Sequence, residues 1–69
     1  MTDAEIRTAV FGAIDTERLT DDQLVARIVQ ERGVKSAEIR RVLKDMFYVN
    51  SIEVDTDGCL TRRFMGFSG

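Results

Sequence analysis

The chain has 69 residues, of which 43% are hydrophobic and 32% are charged. This balance is typical of a folded domain and excludes a disordered chain. The length predicts one domain over residues 1–69, and no apolar stretch approaches the roughly 18 residues that a membrane span needs. We therefore expect a protein with no membrane partner.

Few side chains in this sequence could take part in catalysis or bind a metal ion. The sequence has no His and a single Cys, Cys59. Without His there is no base to activate this thiol and no cluster of metal ligands, so we expect no enzyme, no cofactor and no metal site. An unpaired thiol suits a reducing compartment, and the acidic start Met-Thr-Asp-Ala-Glu lacks the basic residues of a targeting signal. These features predict a cytoplasmic protein.

Two capping boxes predict the starts of two helices. One begins at Thr2 and the other at Thr20, each with Glu or Gln three positions later. In such a box the two side chains satisfy backbone N–H groups that a helix start leaves free. Apolar residues then recur at helical spacing, which predicts helix 1 over about residues 3–15 and helix 2 over about residues 21–32.

A third helix is predicted over about residues 36–48 by its apolar stripe. The stripe comprises Ile39, Val42, Leu43, Met46 and Phe47. Basic residues occupy the opposite side, and the short turn Gly33-Val34-Lys35 joins this helix to helix 2. A helix with an apolar back and a basic front, entered through a Gly-containing turn, is typical of the recognition helix of a helix-turn-helix.

Beyond Asn50 the apolar residues alternate with polar ones. Asn tolerates a positive φ, so we expect Asn50 to close helix 3 in a left-handed conformation. Asp57-Gly58 lies between two alternating segments, which predicts a β-hairpin over about residues 51–65. Gly12, inside helix 1, is interpreted as a point of close approach between two helices, because glycine otherwise weakens a helix.

In order and spacing these features resemble the winged helix-turn-helix superfamily, in particular its small prokaryotic, archaeal and phage members. The resemblance covers nearly the whole chain and depends on the Gly33-Val34 turn, Arg40-Arg41 before Val42-Leu43, and a hairpin closed by Gly58. It implies an α+β fold, a three-helix winged helix-turn-helix with a C-terminal two-stranded β-hairpin wing. The chain departs from the family pattern at the cap of helix 3, which is Lys35 or Ser36.

The first functional expectation is that the chain binds double-stranded DNA, as a small transcriptional or architectural regulator with helix 3 in the major groove. The candidate DNA-binding residues are Lys35, Ser36, Ala37, Arg40, Arg41, Lys44, Arg62 and Arg63. One module of this size buries only roughly 600–1,000 Å² on DNA. We therefore also expect a homodimer, formed through helix 1 or the aromatic C-terminal segment.

The alternative is a winged-helix module that binds protein, as an adaptor or as a phage or plasmid factor directed at a host protein. The net charge is -2, whereas nucleic-acid binders are usually basic. Asp55 and Asp57 make the hairpin tip acidic, so it would repel phosphate. The candidate partner or dimer surface consists of Phe47, Tyr48, Phe64 and Phe67. A continuous basic face from helix 3 to the hairpin favours DNA, and an exposed apolar patch with acidic neighbours favours protein.

Overall fold

The computed structural model describes residues 1–63. Its elements are α1 (Asp3–Thr16), α2 (Asp21–Arg32), α3 (Ser36–Tyr48), β1 (Ile52–Val54) and β2 (Leu60–Arg62). The two strands pair antiparallel, so the predicted α+β class is confirmed, while positions 64 and 65 of the expected hairpin lie outside the described residues. None of the helices in this part of the chain has the length and apolar content to cross a membrane.

Both predicted capping boxes form. The Glu5 N–H donates to Thr2 Oγ1 at 3.2 Å, and the Thr2 N–H donates back to Glu5 Oε1 at 2.8 Å. Thr20 and Gln23 exchange the same two bonds at the start of α2. The N-cap of α3 is Lys35, whose side chain makes no capping bond. The first two helix starts are therefore fixed by local hydrogen bonds, and that of α3 depends on packing.

The turns adopt the left-handed conformations that their sequences favour. Gly33 ends α2 with φ 69° and Asn50 follows α3 with φ 61°. The expectation for Asn50 is confirmed. The interpretation of Gly12 is wrong. Apart from the backbone of α1 and the residues next to Gly12, no heavy atom of the described residues lies within 4 Å of the position that its Cβ would occupy. Gly12 is exposed on α1 and marks no close approach of helices.

The hairpin is attached to the helices through β2. The Leu60 N–H donates to the Leu19 carbonyl oxygen at 2.7 Å, and Thr20 forms an isolated antiparallel bridge with Cys59. The loop between α1 and α2 therefore lies along one side of β2, and β1 lies along the other. Within residues 1–63, β1 is consequently the edge strand.

One hydrophobic core joins all five elements. Its buried side chains are Ile6, Val10, Ile14, Leu19, Leu24, Val25, Ile28, Val34, Ile39, Val42, Leu43, Met46, Ile52 and Leu60. The apolar stripe predicted for α3 is buried, except that Phe47 is only partly covered. Ile52 and Leu60 carry the hairpin into this core. The opposite side of α3 is left exposed to solvent.

Candidate functional site

The exposed side of α3 carries most of the candidate binding residues. Lys35, Ser36, Ala37, Arg40, Arg41 and Lys44 are all exposed. They form a ridge between α1 on one side and the start of α2 on the other. The structure therefore brings together the α3 residues that the sequence pattern singled out.

The two arginines of this ridge turn to opposite sides and are both paired. Arg40 reaches α2, where its Nη2 lies 2.9 Å from Asp22 Oδ1. Arg41 reaches α1, where its Nη2 lies 3.2 Å from Asp3 Oδ1. Each positive charge thus has a carboxylate beside it, and the ridge is close to neutral around these two residues.

The arginines of the hairpin do not extend the ridge. Arg62 turns toward α1, with its Nη2 2.6 Å from Asp15 Oδ2 and its guanidinium carbon 4.0 Å from the centroid of the Phe11 ring. The hydrogen bond from Arg62 holds the pKa of the Asp15 carboxyl below its usual value. Arg63 lies 3.8 Å from a carboxylate oxygen of Glu53. A continuous basic face from α3 to the hairpin is therefore not formed by the described residues.

Lys35 and Lys44 differ from the arginines. Both are exposed, and neither makes an ion pair with any residue in the range 1–63. Lys44 stands between two surface depressions, one beside α1 and one beside the start of α2. These two lysines are the cations of the ridge that remain available to an anionic ligand.

The acidic hairpin tip is tied to the loop after α1. Arg18 Nη2 lies 2.6 Å from Asp55 Oδ2 and 2.9 Å from Asp57 Oδ2. Asp55 Oδ1 also accepts the backbone N–H groups of Asp57 and Cys59, at 2.9 and 3.0 Å. The bond from the Cys59 N–H is the main reason that the pKa of Asp55 lies below its ordinary value. The sequence did not indicate this role of Arg18, because the partner of an arginine in a loop is determined by the tertiary structure.

This network predicts that the stability of the fold depends on pH in the acid range. Because the pKa of Asp55 is lower in the folded chain than in the unfolded chain, its stabilising effect is complete above the usual Asp value of about 3.9 and is lost as the pH falls through the lowered value. Asp55→Asn should therefore give a shallower fall in stability below about pH 4. Urea unfolding midpoints measured from neutral to acid pH test this, and an unchanged acid profile would contradict it.

One depression of the surface is a groove between α1 and α3. Its lining residues are Asp3, Arg7, Arg41, Val42, Lys44, Asp45, Phe47 and Tyr48, and its volume is about 630 Å³. The ion pair of Arg7 with Asp45, at 3.7 Å, and that of Arg41 with Asp3 connect its two walls. We call this depression the α1–α3 groove.

The structure describes two of the four aromatic residues that were predicted to form a partner surface. Tyr48 is 84% exposed at one end of the α1–α3 groove, and Phe47 is partly buried against the core. Both line the groove. Phe64 and Phe67 lie outside the described residues.

Comparison with known protein families, curated proteins and solved structures finds no match for this chain. Among residues 1–63 there is also no group of three His, Cys, Asp or Glu residues placed to hold a metal ion.

Proposed function

We propose that the chain is a winged-helix module that binds a protein through the α1–α3 groove. The observation that carries this proposal is Tyr48, which is 84% exposed at the end of a groove with Val42 and Phe47 in its lining. Exposed aromatic side chains beside an apolar floor and within a polar rim are the features of energetically dominant residues at protein interfaces. The charged residues that line this groove include both acidic and basic side chains.

The charges around α3 support the same proposal. Arg40 and Arg41 already face the carboxylates of α2 and α1, and the hairpin arginines also face carboxylates. A phosphate approaching these arginines would be repelled by the carboxylates beside them. A protein surface, by contrast, can present charges of both signs to such a face.

The test is capture of partners by the immobilised chain from a lysate of its source organism. Tyr48→Ala should remove a partner that the unchanged chain retains, because losing an aromatic residue that dominates the binding energy costs about 2 kcal/mol or more, or roughly 30-fold in affinity. Val29→Ala is the matched control, since Val29 is a partly exposed apolar residue on α2 outside the groove. The proposal would be contradicted if all three proteins retained the partner equally, or if the unchanged chain retained no partner.

A second candidate function is binding of double-stranded DNA by a homodimer, with α3 in the major groove. Lys35 and Lys44 support it, because both are exposed and make no ion pair within residues 1–63. The small side chains of Ser36 and Ala37 at the start of α3 would also allow a close approach to base edges. In this proposal the dimer supplies the contact area that one module lacks.

The salt dependence of DNA affinity measures how many cations contact phosphate. Two lysines in each subunit of the dimer predict a contribution of about -1.8 per subunit to the slope of log K against log salt, whereas six free cations in each subunit would give about -5.4 per subunit. Lys44→Ala should flatten the slope by about one unit per subunit, and Asp22→Asn, which releases Arg40, should steepen it by about one unit per subunit. Fluorescence anisotropy with a labelled duplex gives both slopes. Absence of binding near 50 mM salt would exclude this candidate.

A further inference from the structure

The charges that line the α1–α3 groove do not balance. Its basic residues are Arg7, Arg41 and Lys44, and its acidic residues are Asp3 and Asp45. The chain as a whole has the opposite excess, with a net charge of -2. The groove is therefore a locally positive part of an acidic protein.

The excess positive charge of the groove lies on Lys44. Arg41 is 3.2 Å from Asp3 and Arg7 is 3.7 Å from Asp45, so both acidic residues of the lining already face an arginine. Lys44 is exposed and makes no ion pair within residues 1–63. Its ammonium group is a compact charge on a flexible stem, which can turn toward an anion beside the groove.

Lys44 and Tyr48 lie on the same side of α3, because they are four residues apart in one helix. Their Cβ atoms are consequently about 5–6 Å from each other. A ligand that contacts both side chains has to present an anionic group and an apolar group at about this spacing. In a protein, a carboxylate and a large apolar side chain meet this requirement.

The groove offers side chains for binding and no strand edge. Its two walls are α1 and α3, and the backbone groups within a helix are bonded to one another. A partner strand would find no free row of N–H and C=O groups to pair with, whereas a helix lying in a groove binds through side chains that repeat every three or four residues. Residues at that interval on a partner helix have the same spacing as Lys44 and Tyr48.

We propose that the partner segment that binds the α1–α3 groove is an acidic amphipathic helix. A Glu or Asp of this helix faces Lys44, and an apolar residue three or four positions away packs against Tyr48. This inference rests on the proposed function and names the class of partner for that same groove. The positive excess of the lining favours such a partner over a second copy, since two copies meeting groove to groove would bring like charges together.

The test is selection of random helical peptides, displayed on phage, by the immobilised chain. The selected peptides should carry Glu or Asp three or four positions from a large apolar residue. Lys44→Glu should instead select Lys or Arg at that place, and it should bind a peptide from the first selection at least about tenfold more weakly, because attraction becomes repulsion. Lys35→Glu is the matched control, since Lys35 is also an exposed lysine without an ion pair in residues 1–63 but lies outside the groove, and its selection should stay acidic.

Tyr48→Ala separates the failure of this inference from that of the proposed function. Peptides that depend on Tyr48 but show no acidic preference, or the same acidic preference with Lys44→Glu, would overturn the inference and leave the proposed function standing. Selection of no peptide that depends on Tyr48 would overturn both. Sedimentation equilibrium of the unchanged chain adds one further outcome, because a dimer that Tyr48→Ala dissociates would show that a second copy occupies the groove and would also overturn the inference.

Discussion

Replacing Ile39 by alanine should lower the free energy of unfolding by about 2–5 kcal/mol, because the side chain is fully buried and its removal leaves a cavity. A chain of 69 residues has a total stability of about 3–10 kcal/mol at typical values per residue. This one change therefore removes a large part of the stability. Urea unfolding followed by circular dichroism measures the loss.

The matched control is the neighbouring residue, Arg40. Its side chain is exposed and its ion pair with Asp22 is on the surface, where such pairs contribute about 0–1 kcal/mol. Alanine is at least as good a helix former as arginine, so Arg40→Ala should unfold at nearly the same urea concentration as the unchanged chain. If Arg40→Ala were as damaging as Ile39→Ala, the orientation of α3 described here would be wrong.

Replacing Gly33 by valine should destabilise the chain by about 1–2 kcal/mol, because a β-branched residue is strained in the left-handed conformation. Gly33 has φ 69° and ψ 22° at the end of α2. Within residues 1–63, and apart from the two neighbours of Gly33 in the chain, no heavy atom lies within 4 Å of the position that a Cβ would take. The loss therefore reports backbone strain in the turn between α2 and α3, with no contribution from a steric clash at that carbon.

Gly33→Asn is the companion variant, since asparagine adopts left-handed conformations more readily than valine. It should lose less stability than Gly33→Val in the same thermal or urea unfolding experiment. Equal losses for the two variants would indicate that the turn requires the absence of a side chain for a reason other than φ. A valine variant as stable as the unchanged chain would show that the turn can adopt another conformation.

The parts of the fold that could be predicted are those encoded by neighbouring residues. Thr2 and Thr20 fixed the starts of α1 and α2 because a capping box closes within four residues. The apolar stripe of α3 predicted which of its sides is buried, because a helix repeats every 3.6 residues. Asn50 could be assigned a positive φ from its residue type. All of these are consequences of local geometry.

The charge pattern of the candidate site could not be predicted in the same way. Arg41 and Asp3 are 38 residues apart, and Arg62 and Asp15 are 47 apart. Which carboxylate lies beside which arginine depends on how α1 crosses α3 and on where β2 lies against α1. The composition gives the number of charges. That the arginines of α3 are paired with carboxylates follows only from the tertiary structure.

The position of β1 at the edge of the sheet also affects the solubility of the chain at high concentration. An edge strand presents unpaired backbone N–H and C=O groups, to which a strand of another molecule can add as the first step toward fibrils. Here β1 has three residues. The backbone N–H and C=O groups of Glu53 point toward β2, so only those of Ile52 and Val54 point outward. The charge of Glu53 and the shortness of the strand thus oppose stacking of hairpins into cross-β aggregates.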